Sequence, residues 1–584
     1  MEAKGSFWNY PQSDGILISD LSCCEPQSAI SSKITEDCWH KIPYETAGGI
    51  SGVMLAKGEM VHPPEVSLAL EAKGWHAIYL AVFRGQTEVS LSQVRVKLSD
   101  ERLFDKLLPS FNSFQRMPNG AVAKVAPAPG STRGLEEFFW KAADLDGQRL
   151  VISHLNTSQR TAAQLAFVRL VPMSESEVAE YQGGAGREDT MVLAAEMDGQ
   201  QPYYDGARTV EDILEYFEPL RGTDIGKLFL GAAGIGGGQM LYPSKAGVMY
   251  GSEGEEFSTE PAYRTVGSLR GFVSRGIDPL KVTVDHVHSM GIDVYLGFRM
   301  GTMASIPPSW LGPVAFWKEH PELRCRDREG KTIARLSLAY PEVRRFYIGL
   351  FEEFLGYGVA GVQPIYTRRP PSVLFEPPVV EDFKKEHGFD PRELPDDPKG
   401  GWGHYTSDER LERHWAGYVT TFMRELRQAL DRHHRPGGGR VQVVACVGND
   451  ADYNRAGGLD IGTWAREGLV DILVPYTGGD GGWIVDYEYY RKVTAGTSCV
   501  FYEDITPRAM PGSAYARRAL TAYEGGAAGL SFWDSCNRIA TKSQWHTIRR
   551  LGHREDLEQM AGQPDQYLVH PLRRIYDWHP GPRY

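Results

Sequence analysis

The sequence predicts an α/β protein: a (β/α)8 TIM barrel preceded by an N-terminal β-sandwich domain. Three observations carry this. At 584 residues the chain is too long for one compact core. Up to Met173 it shows short apolar or alternating runs between Gly, Pro, Asn and Asp turn signals. From Met191 onward buried strands alternate with amphipathic helices eight times, the pattern of a parallel sheet that closes on itself. The expected boundaries are a jelly-roll-like β-sandwich at 1–175, a linker at 176–189, and a barrel at 190–584 with a C-terminal extension.

In the first part, Gly15–Leu21, Val66–Leu70, Trp75–Phe83, Val94–Leu98, Arg149–His154 and Ala163–Val171 read as strands. The polar, Gly-rich segment SESEVAEYQGGAGRED follows and is expected to pack poorly. The barrel strands are expected at Met191–Glu196, Lys227–Ala232, Asp293–Phe298, Val359–Tyr366, Val441–Val447, Asp471–Pro475, Ser498–Tyr502 and Ala528–Phe532. Helices lie between them. One spans Val210–Leu220 and one Pro279–Met290. The helix starting at Pro341 carries Val343, Tyr347, Leu350, Phe351 and Phe354 at helical spacing and stops at Gly356 and Gly358. A longer helix runs from Glu409 to His433, with Asp408 as its cap. An open doubly wound sheet would use fewer strands and carry a phosphate fingerprint. The run from Gly231 to Gly238 lacks the G-x-G-x-x-G spacing of one.

Composition narrows the function. A formal net charge of −12 argues against nucleic acid and against an anionic membrane surface, both of which need a basic face. No apolar run reaches the roughly 18 residues a membrane span needs. The cysteines, seven in all, are an odd set without framework spacing and without a C-x-x-C pair, so a reducing compartment is expected. The first residues lack a basic n-region and an apolar h-region, which predicts a cytoplasmic protein unless a leader has been removed. No cofactor and no metal is expected: the pairs His286/His288 and His433/His434 sit on predicted helices without a ligand set around them. The expected partner is a carbohydrate, and the composition leaves a homo-oligomer open.

In a barrel the residues just after each strand converge on one mouth. Here these are Glu196 and Asp198 after the first strand and Arg299 after the third. Gln363, Tyr366, Arg368 and Arg369 follow the fourth, with Glu376 further along. Asn449 and Asp450 follow the fifth, Tyr476 the sixth, Glu503 and Asp504 the seventh, and Trp533 and Asp534 the eighth. Carboxylates, arginines and aromatic rings on one rim suit a sugar. Glycoside hydrolysis needs one carboxylic acid to protonate the leaving oxygen and a second carboxylate as nucleophile or base.

Three stretches resemble the bacterial family 10 glycosyl hydrolase-like proteins, a group regarded as glycosidases. They are PEVRRFYIGLFEEFLGYGVAGVQ, the pair GIDVYLGFRM and FWKEHPELRCRDREGK, and YEGGAAGLSFWDSCNR. The resemblance spans Met191 to Leu551 and implies hydrolysis or binding of a saccharide on a TIM barrel paired with a β-sandwich. One departure matters. Related barrels read D-G-(I/V)-x-(L/F)-D at the fourth strand, where this chain has Ala360, Gly361, Val362, Gln363, Pro364 and Ile365. Both acids are missing there.

The expected function is therefore a glycosidase with relocated carboxylates. Glu503 or Asp504 is expected as one catalytic group, and Glu376 or Asp534 as the other. Glu196, Asp198, Arg299, Gln363, Tyr366, Arg368, Arg369, Asn449, Asp450, Tyr476 and Trp533 are expected to bind substrate. A silent carbohydrate-binding barrel is the alternative, followed by a sugar-acid lyase or isomerase.

Overall fold

The computed structural model describes residues 15–58, 61–84, 91–109, 114–116, 122–124, 134–155, 161–183, 190–234, 236–252, 260–301, 315–367, 371–395, 408–476, 485–506, 508, 510, 512–562 and 567–576. Its centre is a closed barrel of parallel strands: β1 (Leu193–Met197), β2 (Ile225–Gly231), β3 (Asp293–Arg299), β4 (Gly361–Ile365), β5 (Gln442–Gly448), β6 (Ile472–Tyr476), β7 (Val500–Asp504) and β8 (Gly529–Phe532). Neighbours in the chain are neighbours in the barrel, and β8 pairs back onto β1, with Leu193 opposite Leu530.

Alternate side chains of a strand point to opposite faces, and here the two faces are two different cores. Ala194, Phe229, Tyr295, Val444, Ile472, Val474 and Tyr502 fill the barrel interior, with Phe229 and Tyr295 edge to face at 5.4 Å. Gly361 makes room for this layer, since a Cβ there would lie 2.7 Å from the Tyr295 ring. The other face packs on the helices. In the helix Pro341–Leu355 the missing N–H of proline falls in the first turn, where no partner is needed. Its Phe351 stacks on Phe298 of β3 at 4.4 Å. Asp408 caps Glu409–Leu430 by accepting the Arg410 N–H at 2.9 Å, and Leu411, Trp415, Val419, Phe422 and Leu426 bury its apolar stripe. The helix expected over Val210–Leu220 stops at Leu214, and a 3-10 turn, Glu218–Leu220, completes the segment.

The N-terminal region is two packed sheets. The larger follows the order Ile16–Ile18, Thr161–Pro172, Ser51–Lys57, Trp39–Thr46, Tyr567–Ile575, Gly134–Asp144 and Trp75–Arg84. The smaller is Val66–Ala69, Arg149–His154, Val94–Leu98 and Asp105–Leu107. Trp39, Phe138 and Leu165 from one sheet and Val66, Val96 and Ile152 from the other belong to one core.

Three differences from the sequence reading have physical causes. The strand Gly134–Asp144 shows no alternation because it buries Glu136 and Glu137; Glu137 is held by Arg169 at 2.6 Å and His570 at 2.7 Å. The C-terminal strand Tyr567–Ile575, expected as an extension of the barrel, inserts between two strands of the N-terminal sheet. Of the segment expected to pack poorly, the described part forms a helix, Glu175–Gly183, whose Tyr181 meets Phe139 edge-on at 6.3 Å, and residues 184–189 lie outside the described residues.

Between sandwich and barrel, Lys542 reaches Asp105 at 2.9 Å, His546 Nε2 meets the Phe139 carbonyl at 2.8 Å, and Arg95 pairs with Glu215 at 2.5 Å. Among the described residues no helix is long and apolar enough to cross a membrane.

Candidate active site

The C-terminal ends of the barrel strands bring together a subset of the residues predicted from sequence. Two carboxyl groups lie at its centre, both fully buried: Glu196 on β1 and Asp504 at the end of β7. Glu196 Oε1 lies 2.8 Å from Gln363 Nε2, and Oε2 lies 3.0 Å from Ser531 Oγ. Burial, and after it the charge of Asp504, push the Glu196 carboxyl up to about 8, against the pull of those two hydrogen bonds. Asp504 Oδ1 accepts the Trp533 N–H at 2.9 Å, while Oδ2 is buried without a partner among the described residues. Burial raises the Asp504 carboxyl as well, opposed by the Arg538 guanidinium and the Trp533 N–H.

Around this pair are groups of matching chemistry. Arg299 at the end of β3 donates to Asp198 Oδ1 at 2.7 Å and lies 5.7 Å from the centre of the Trp533 ring. Trp533 meets Tyr476 edge-on at 5.0 Å, and the Tyr476 hydroxyl accepts from Arg508 at 2.9 Å. Arg508 also reaches Asp534 at 3.7 Å. Asp534 follows Trp533 in the left-handed region, φ 62°, and accepts from Asn537 Nδ2 at 3.1 Å. Three buried polar atoms at this mouth lack a partner among the described residues: Asp504 Oδ2, Gln363 Oε1 and Arg299 Nε. Buried polar atoms are normally satisfied, so these three can take a further polar partner.

Several expected site residues go elsewhere. Glu503 is one residue from Asp504 and therefore faces the helices, where Arg518 at 2.5 Å and the Tyr487 hydroxyl at 2.7 Å hold it. Tyr366 faces outward for the same reason: its hydroxyl lies 3.1 Å from Met423 Sδ and its ring packs on Trp464. Glu376 is fully buried at the start of the helix Pro377–His387 and accepts the Leu374 N–H at 2.8 Å. Its carboxyl, raised by burial, lies beside Cys325 and Ser337, and its Oε1 is buried without a partner among the described residues. It is a loop anchor away from the carboxyl pair. Asp450 caps the helix Ala451–Ala456 by accepting the Tyr453 N–H at 2.7 Å, and the carbonyl of the neighbouring Asn449 accepts the Asp486 N–H. Arg368 and Arg369 lie outside the described residues. Asp450→Ala is thus expected to lower stability by about 1 kcal/mol, the usual worth of an N-cap, without changing substrate affinity. Thermal denaturation beside substrate titration checks both halves.

Four participants escaped sequence reasoning. Ser531 lies two residues before Trp533, so strand parity alone puts it on the inward face with that ring. Ser535 accepts the Glu196 N–H at 3.1 Å. Arg508 and Arg538 carry no local signal. Arg538 is buried and donates to the Trp533 and Ile505 carbonyls at 2.8 and 2.6 Å, bracing both loops that frame Asp504.

No protein-family model and no curated protein matches this sequence. Among solved structures the chain is similar to TtGalA, an α-galactosidase from Thermus thermophilus crystallised with p-nitrophenyl α-D-galactopyranoside. That match has 11% identity and a TM-score of 0.33 and covers 88% of this chain and 95% of that one. It is also similar to AmyB, a noncanonic maltogenic α-amylase from Thermotoga neapolitana, with 11% identity and a TM-score of 0.34 over 62% of this chain and 75% of that one. A ruminal GH26 endo-β-1,4-mannanase gives 7% identity and a TM-score of 0.29 over 94% of this chain and 99% of that one. All three are glycoside hydrolases by name. Likenesses at these scores carry no argument, and the barrel stands on the strand pairing of this chain.

Proposed function

We propose that this protein is a glycoside hydrolase whose catalytic carboxyls are Glu196 and Asp504. The observation that carries the reading is the pair itself: two buried carboxyls on one barrel mouth, with Glu196 raised to about 8 by burial first and by the charge of Asp504 second. Two acids that repel one another share a proton near neutral pH, and their environments divide the roles. Glu196 keeps the proton and serves as general acid to the leaving oxygen. Asp504 directs its open Oδ2 at the substrate as nucleophile or as base on water. Gln363 and Ser531 orient Glu196, and Arg299, Tyr476 and Trp533 shape the sugar site. This replaces the assignment of Glu503 and Glu376, and it fits the departure from the family 10-like pattern: the acid missing at Ile365 is supplied from β1 and β7.

A silent carbohydrate-binding barrel is the second reading. Ile365, Cys446, Tyr476 and Trp533 form a buried apolar cluster on the same mouth, which fits a floor that binds a sugar face without chemistry.

A panel of aryl glycosides separates the two. Hydrolysis of at least one member is expected, with a rate that falls as pH rises through about 8, because only protonated Glu196 is an acid. Sugar binding by calorimetry with no turnover across the panel would overturn the hydrolase in favour of the binding barrel.

A further inference from the structure

Gln363 offers two polar atoms at the barrel mouth, and only one is engaged. The residue is fully buried; Nε2 donates to Glu196 Oε1 at 2.8 Å, and Oε1 has no partner among the described residues.

The barrel is shaped to bring this amide to Glu196. β1 and β4 are not neighbours, since β2 and β3 lie between them. In register, Gly231 of β2 pairs with Gly297 of β3, and Gly297 with Gln363 of β4. Gly231 shares its face with Phe229, which fills the interior, and Gly297 shares its face with Tyr295, which does the same. A Cβ on Gly297 would lie 2.7 Å from the Gln363 Cβ. Two inward positions without side chains thus let Gln363 reach past two strands to the carboxyl. Glu196 also fixes which way the amide faces. A carboxyl oxygen takes the N–H, so the carbonyl oxygen is the atom left over, and it needs a donor. A buried acceptor without one costs free energy until the donor arrives.

Sugar chemistry says which donor that is. The argument rests on Glu196 being the acid, which puts the glycosidic oxygen of the substrate against it. The amide beside Glu196 then meets the atoms that flank the anomeric carbon. One is the ring oxygen, which can only accept; the other is the carbon that bears the 2-hydroxyl, which can donate. We infer that Gln363 is the specificity-determining residue for ring position 2: its Oε1 accepts the 2-hydroxyl of the sugar whose bond is broken, and the mouth selects sugars with a free hydroxyl there. Hydrogen bonds to the 2-hydroxyl strengthen as the glycosidic bond breaks, so the contact serves turnover as well as selection.

Calorimetry on the full chain with glucose, mannose and galactose, and with the 2-deoxy and 2-deoxy-2-fluoro forms of glucose and galactose, tests this without requiring turnover. The fluoro forms nearly keep the size of the hydroxyl and cannot donate. At least one hexose is expected to bind about 10- to 100-fold more tightly than its two altered forms, the cost of leaving one buried acceptor unpaired. That preference should vanish in Gln363→Leu, or in Gln363→Met should the first variant not fold. Where an aryl glycoside is turned over, the ratio of kcat/KM between it and its 2-deoxy form should fall in the same variants, and the greater intrinsic lability of the 2-deoxy bond cancels in that comparison. A glutamine that only orients Glu196 would slow both forms equally and leave the ratio in place. No hexose binding, equal binding of a hexose and its altered forms, a preference unchanged in the Gln363 variants, or a preference lost instead in Asp504→Asn, whose Oδ2 is another open acceptor, would overturn the proposal. Failure of the hydrolase reading looks different: no aryl glycoside is turned over, while the preference and its loss in Gln363→Leu persist in calorimetry.

Discussion

Asp504→Asn is expected to lower turnover of the best aryl glycoside by about 10³-fold, within the range a positioned acid or base supplies. The fold should survive. Asparagine keeps the shape of the side chain, and its carbonyl still accepts the Trp533 N–H that Asp504 Oδ1 now holds at 2.9 Å. What disappears is the negative charge, and that gives a second readout which a merely structural residue would not move. The charge of Asp504 is the largest cause, after burial, of the raised Glu196 carboxyl. Removing it makes ionised Glu196 easier to form, so the alkaline limb of the residual activity should move below the wild-type position near 8. Glu196→Gln is the complement. It should abolish that limb and spare substrates whose leaving group needs no proton. Wild-type kcat in Asp504→Asn, or a limb that stays in place, would show that the two carboxyls do not work as a pair.

The barrel was readable in the sequence because each strand is an apolar run and each helix an amphipathic one, and those two patterns need no tertiary knowledge. The site was readable only to the level of strand ends. Asp504 and Glu503 stand at the same strand end, and which of them enters the mouth depends on strand parity. In a strand buried on both faces the residues alternate between two apolar cores, so no polar-apolar rhythm reveals the parity. Tyr502 fills the interior and Phe501 packs on the helices, yet both are aromatic. The same ambiguity misplaced Tyr366. Glu376 failed for another reason: its place depends on the loop's path past Cys325 and Ser337, and loop paths leave no periodic trace. Arg538 and Arg508 act through contacts with segments distant in the sequence or with groups known only once the barrel is closed. Glu196 was placed at the mouth, but the acid role proposed for it depends on burial and on Asp504 two strands away.

Arg518→Met is expected to destabilise the protein by about 3 kcal/mol, at the lower end of what breaking a buried ion pair costs when one charge is left behind. Glu503 is fully buried, and Arg518, from the helix Gly512–Glu524, is its only cationic partner among the described residues at 2.5 Å. Burial raises the Glu503 carboxyl, and the Arg518 charge is the first thing that opposes this. Without Arg518 the carboxyl rises further and takes up a proton, which the Tyr487 hydroxyl at 2.7 Å can accommodate. The sign of the pH dependence follows. A carboxyl with a folded pKa above its unfolded value stabilises the fold fully below the unfolded value near 4.3, and that contribution is lost as pH rises through the folded one. The gap between wild type and Arg518→Met should therefore be small at pH 5 and wide at pH 8 in urea titrations. Replacing both partners, Glu503→Leu with Arg518→Met, should recover much of the loss, because no charge is then stranded. Glu503→Gln should leave kcat within a few-fold of wild type, since its side chain faces the helices. A fall in kcat comparable to that of Asp504→Asn would instead return Glu503 to the mouth and reverse the parity on which the whole site is built.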